Sequence, residues 1–83
     1  MTIEFNIPAG NQLSSEDVLA ALSALAREAS VPTGDIVAVA TSSGTSYTVP
    51  CAGGSDNRFA NVIFGNLLAP LGLEETVGIR ELG

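Results

Sequence analysis

Asp35–Cys51, DIVAVATSSGTSYTVPC, reads as two strands folded back on each other. Both arms, Asp35–Thr41 and Thr45–Cys51, are rich in the β-branched residues that suit a pleated, half-buried surface. Between them, Ser42-Ser43-Gly44 has the composition of a three-residue hairpin loop with Gly in the left-handed position. Such a loop sets Thr41 opposite Thr45, Val39 opposite Tyr47 and Val37 opposite Val49. Ala40 then faces Ser46, and Ala38 faces Thr48. One face comes out large and apolar, the other small and polar, and a one-residue slip would mix them.

On the N-terminal side of this hairpin lies a helix with clear ends. Ser14 is a good N-cap, Asp17 three residues on can complete a capping box, and Leu13 and Val18 occupy the staple positions. Glu16 and Asp17 put negative charge in the positive first turn. Val18, Leu22, Leu25 and Ala29 follow at helical spacing, and Ser30-Val31-Pro32-Thr33-Gly34 stops the run. Before the helix, Thr2–Ile7 alternates, with Ile3, Phe5 and Ile7 on one side, and Pro8-Ala9-Gly10-Asn11 ends it.

On the C-terminal side, Gly53-Gly54-Ser55-Asp56 leads into a second helix over about Asp56–Ala69, ended by Pro70 and Gly72. Phe59, Ile63 and Leu67 centre its buried face, with Val62 and Phe64 roughly 100° to either side. A last strand is predicted over Glu75–Glu81, with Val77 and Ile79 inward and Gly78 and Arg80 outward. The whole chain, residues 1–83, is then one α+β domain of order β-α-β-β-α-β. This order most often makes the ferredoxin-like two-layer sandwich: a four-stranded antiparallel sheet, order 4-1-3-2, with two helices on one face. Adjacent first and last strands would bring Glu4 beside Arg80 on the open face.

Composition removes several function classes. There is no His and no Lys, and the net charge is −6. Without His the commonest general base is missing, and without Lys so are Schiff-base chemistry and the phosphate-binding lysine. The serines have no base partner for a triad. With one Cys and no His, neither an internal disulfide nor an ordinary zinc site can be built. No enzyme activity, cofactor or metal is therefore expected. Arg27, Arg58 and Arg80 are the only cations and are scattered, so no basic patch exists for nucleic acid or an anionic membrane. The first residues, MTIEFNIP, do not read as a signal peptide, and no apolar run spans a bilayer. These features suit a cytoplasmic protein.

Several features remain as binding candidates. The predicted open sheet face carries Thr2, Glu4, Asn6, Ala38, Ala40, Ser46, Thr48 and Arg80. It has no aromatics on which bases could stack, and its small residues permit close approach of a partner. On the second helix and just beyond it, Val62, Phe64, Leu68 and Leu71 extend apolar character past one buried stripe, as interface helices do. The loop Gly53-Gly54-Ser55 is a weaker anion or ligand candidate, with Ser55 as helix cap the simpler role. The loop Pro8–Asn11 could contact a small ligand by fold analogy alone. Cys51 precedes a helix N-terminus, but its register turns it inward as a small apolar residue.

The function these features favour is a small acidic protein-interaction module, a homo-oligomer or assembly subunit. One alternative is an inhibitor, of the kind bacterial viruses make, that covers a basic nucleic-acid-binding groove of a host defence protein. Another is a small-ligand-binding regulatory domain using the glycine loops.

Overall fold

The computed structural model describes residues 2–10 and 13–82. Its elements are β1 (Thr2–Pro8), α1 (Ser15–Glu28), β2 (Val37–Thr41), β3 (Gly44–Pro50), α2 (Asp56–Ile63) and β4 (Arg80–Leu82). The sheet order is β2-β3-β1-β4 and every neighbouring pair is antiparallel. This is the predicted α+β arrangement of an open four-stranded antiparallel sheet with two helices. The strand order is the predicted one read from the opposite edge.

β1 buries Ile3, Phe5 and Ile7 and turns Thr2, Glu4 and Asn6 the other way. Phe5 pairs with Tyr47 of β3, and their rings stack at 5.4 Å between centroids and 26° between planes. Such a pair adds about 1 kcal/mol beyond simple burial. Val18, Leu22 and Ala26 of α1 and Phe59 and Ile63 of α2 join these residues in one apolar cluster. Both helices therefore share a core with one face of the sheet, and among the described residues nothing covers the other face.

The ends of α1 follow from its sequence. Ser14 Oγ accepts a hydrogen bond from the Asp17 backbone N–H at 3.2 Å. At the other end Ser30 takes a left-handed conformation, φ 55°. The Val31 N–H reaches the Ala26 carbonyl at 2.9 Å and the Ser30 N–H reaches that of Arg27 at 3.2 Å. This is the Schellman arrangement, with Ser where Gly is commonest. Arg58 from α2 then donates to the Ala29 and Ser30 carbonyls at 2.8 and 3.2 Å, supplying a cation to the negative helix end. The helix therefore stops at Ser30, before Pro32 and Gly34 are reached. Ser30→Gly is expected to raise stability by about 0.5–1 kcal/mol, read from urea unfolding, because Gly carries no Cβ penalty at positive φ.

The hairpin differs from its predicted register by one residue. Thr41 pairs with Gly44, Ala40 with Thr45, Val39 with Ser46, Ala38 with Tyr47 and Val37 with Thr48. The loop is Ser42-Ser43 alone, and neither serine has positive φ. Gly44 belongs to β3 instead, where β1 claims it. A Cβ on Gly44 would lie 2.1 Å from the Ile7 carbonyl oxygen, 2.8 Å from Pro8 Cα and 2.9 Å from Ala9 N. With Gly44 bare, side chains also meet above it. Thr41 Oγ1 donates to Asn6 Oδ1 at 3.1 Å, and Asn6 Nδ2 donates to Ser43 Oγ at 3.4 Å. The slip reverses β2, so Val37 and Val39 are exposed while Ala38 packs against the core. Ala38 lies opposite Tyr47, which stacks on Phe5 on the helix side of the sheet.

The second helical segment runs on past α2, but its spacing changes. Phe64–Leu68 forms a π-helical turn and Ala69–Leu71 a 3₁₀ turn, closed by Gly72 at φ 71°. The Ala69 N–H bonds to the Phe64 carbonyl, five residues back. This wide turn sits just ahead of Pro70, which can neither donate an N–H nor tolerate the carbonyl four residues before it. A five-residue turn brings Leu68 under Ile63, so Leu67 and Leu68 are both buried.

β4 is shorter than predicted. Leu73–Val77 closes as a turn, with the Thr76 and Val77 N–H groups on the Leu73 carbonyl at 3.0 and 2.9 Å. Val77 is buried as expected, but pairing with β1 begins only at Arg80. Arg80 lies opposite Glu4, and the two side chains form an ion pair. Exposed as it is, the pair contributes at most about 1 kcal/mol.

Candidate interaction surface

The uncovered sheet face is built by alternation. From β1 it takes Thr2, Glu4 and Asn6, from β3 Ser46 and Thr48, from β4 Arg80 and Leu82, and from β2 Val37 and Val39. Ala38 and Ala40, predicted for this face, fall on the opposite side because of the register difference. Val37 is 49% and Val39 53% exposed. These two valines and Leu82 are the surface residues that sequence reasoning missed. The loop Ser42-Ser43-Gly44 was compatible with either two or three connecting residues, and the close passage of β1 decides between them.

The face is divided in character. At the β4–β1 side the Arg80–Glu4 pair dominates, and Asn6, Thr41 and Ser43 tie β1 to the hairpin turn. Toward β2 the surface is uncharged: Ser46, Thr48, Val37 and Val39. Between Glu28 and Asp56 the only charged residue is Asp35.

The helix-side candidates separate. Phe64 is 42% exposed, whereas Leu68 is fully buried in the core and is not surface. Val62 and Leu71 are half-buried against the core. Val62, with Asn66, Leu25, Glu28 and Ala29, lines a shallow groove of about 210 Å³ between α1 and α2. Phe64 does not line it, so these candidates form no single patch.

In the glycine loop, Gly53 and Gly54 adopt positive φ of 45° and 80°. Ser55 stands at the N-cap of α2, its carbonyl accepting from the Phe59 N–H at 2.9 Å, but its side chain makes no capping bond and donates instead to the Ala52 carbonyl at 2.5 Å. The adjoining Asp56, in the first turn, is buried. Its negative charge occupies the position an anion would need. Of the loop Pro8–Asn11, Pro8, Ala9 and Gly10 are placed, with Gly10 at φ 93°; Asn11 lies outside the described residues.

Cys51 is buried beneath this loop, with Sγ 3.6 Å from the Val49 carbonyl oxygen. Burial pushes its thiol above the ordinary 9.0, and the nearby Asp56 charge adds to the shift. Tyr47 is likewise raised above 10.0 by burial, against a smaller opposing effect of its hydrogen bond with Thr45. A raised pKa favours the neutral form in the fold. The stabilisation is full below the unfolded-state values and declines once pH passes them. Melting temperature is therefore expected to fall as pH rises above about 9, first from Cys51 and then from Tyr47. Cys51→Ala should remove the earlier step, and the wild-type thiol should react with Ellman's reagent only as fast as the protein unfolds. Rapid labelling of the folded chain would contradict this.

Among the described residues no three of His, Cys, Asp and Glu gather where a metal could bind, and no helix is long and apolar enough to cross a membrane. Comparison with protein-family models, curated proteins and solved structures found no match.

Proposed function

We propose that this domain is a ferredoxin-like, non-enzymatic protein-binding module that works as part of a homo-oligomer or larger assembly, in the cytoplasm. The observation that carries this reading is the pair Val37 and Val39. Two β-branched side chains, each about half exposed, stand side by side on an uncovered sheet face. The chain had a small-residue alternative for that face, since Ala38 and Ala40 alternate with them, yet the valines point outward. Exposed apolar groups on a sheet face with no covering layer are what a protein contact requires. The net charge of −6 keeps such a chain soluble until the contact forms.

The test compares the wild-type chain with a Val37→Thr, Val39→Thr variant, which keeps strand propensity but removes apolar surface. Both are used to capture proteins from the native host and are examined for self-association. Loss of one specific contact in the variant, with the melting temperature unchanged, is the expected result. If the wild-type chain makes no contact that any surface variant removes, the reading fails.

A further inference from the structure

The two edges of the sheet are not alike. β4 is only three residues long and carries Arg80 and Glu81. Short length and charge are the usual protections against unwanted strand pairing. β2 is five residues, VAVAT, with no charge, no proline and no bulge within its pairing to β3; the bulge in this edge lies before it, between the Thr33–Cys51 and Val37–Thr48 pairs. Its outer edge pairs with nothing among the described residues.

The hydrogen-bonding phase of that edge follows from the turn. The Ala9 N–H donates to the Ser43 carbonyl at 3.1 Å, so Ser43 points at β1 and Gly44 points its own backbone groups at β2. Thr41 and Gly44 are then a hydrogen-bonded pair, as are Val39 with Ser46 and Val37 with Thr48. Ala38 and Ala40 consequently direct their N–H and C=O groups out of the sheet.

From this we infer that β2 pairs antiparallel with β2 of a second copy, joining two four-stranded sheets into one of eight strands. The inference rests on the interaction-module reading and names its surface and partner. The two-fold axis passes at Val39. Ala38 of each copy exchanges both hydrogen bonds with Ala40 of the other, and Val39 meets Val39 at the close, non-hydrogen-bonded spacing. Val37 lies opposite Thr41, so the outward row of one copy continues into that of the other.

The self-complementary register about Val39 selects the second copy as occupant, and charge selects β2 as its seat. Two chains of net charge −6 repel, and a contact forms most readily where neither presents charge. The uncharged stretch between Glu28 and Asp56 is interrupted only by Asp35. In the proposed register Asp35 falls opposite Ser43 of the second copy. The two Asp35 residues are then roughly eight strand positions, or about 27 Å, apart. That is well beyond the screening length of about 8 Å at physiological salt. The groove between α1 and α2 contains Glu28, and the β4 edge would set like charges of two copies near one another.

The experiment uses the full chain. Sedimentation equilibrium up to about 1 mM should show a dimer, because an edge this short supports only a weak one. Val39→Lys, which sets two ammonium groups opposite each other at the axis, should weaken it at least about tenfold without changing the monomer's melting temperature. In a Cys51→Ala background, Val39→Cys should form an intermolecular disulfide on oxidation, and Phe64→Cys should not. A chain that stays monomeric throughout and does not crosslink at Val39 overturns the inference. So does a dimer untouched by Val39→Lys. If that dimer dissociates on Phe64→Lys instead, edge pairing is wrong while the interaction-module reading stands.

Discussion

Gly44→Ala is expected to lower stability by about 3–5 kcal/mol, the largest loss of any single glycine substitution among the described residues. The added methyl would sit 2.1 Å from the Ile7 carbonyl oxygen, with Pro8 Cα and Ala9 N also under 3 Å. All three are backbone atoms of β1 and the residue just after it, so no side chain can swing aside. An 83-residue domain has a total stability of about 4–12 kcal/mol, so the variant loses a large share of it and, at the lower end of that range, is close to unfolded. Urea denaturation and thermal melting both read the effect, and a drop in melting temperature beyond about 12 °C is expected. The experiment also separates the two hairpin registers. Were Gly44 the left-handed residue of a three-residue loop, alanine would cost only about 1–2 kcal/mol. A loss that small would restore the predicted register and return Val37 and Val39 to the core.

Leu68→Ala is expected to cost about 2–5 kcal/mol, while Phe64→Ala changes stability by less than about 0.5 kcal/mol. In a regular α-helix these residues, four apart, would share one face and respond alike. The wide turn at Phe64–Leu68 separates them, leaving Leu68 wholly buried and Phe64 42% exposed. The same denaturation measurements decide the matter. Equal losses at the two positions would mean that the helix continues without the wide turn, and Leu68 would again be a surface candidate.

Much of the fold was legible because local signals agreed with one another. The alternation of Thr2–Ile7, the Ser14 cap, the apolar spacing of α1 and the turn-rich breaks each specify their element independently of the rest. The order of elements then implied the strand order that is observed. The candidate surface was only partly legible. Glu4, Arg80, Asn6, Ser46 and Thr48 lie where alternation puts them, since β1 and β3 are central strands with one buried face. Ala38, Ala40 and Leu68 do not: for the alanines the strand paired with β3 decided the outcome, and for Leu68 the wide turn ahead of Pro70.

The sequence by itself determined the element types, their order and the composition: no His, no Lys, a net charge of −6 and a hairpin whose only charge is Asp35. Hydrophobic period, caps and composition act over a few residues, so a linear reading recovers them. Only the tertiary structure decided which side of β2 faces outward and that Leu68 joins Leu67 in the core. Both turn on steric contact. Ile7 and Pro8 leave space for a glycine and nothing larger at position 44, and the pairing of that strand residue with Thr41 puts the valines of β2 on the surface.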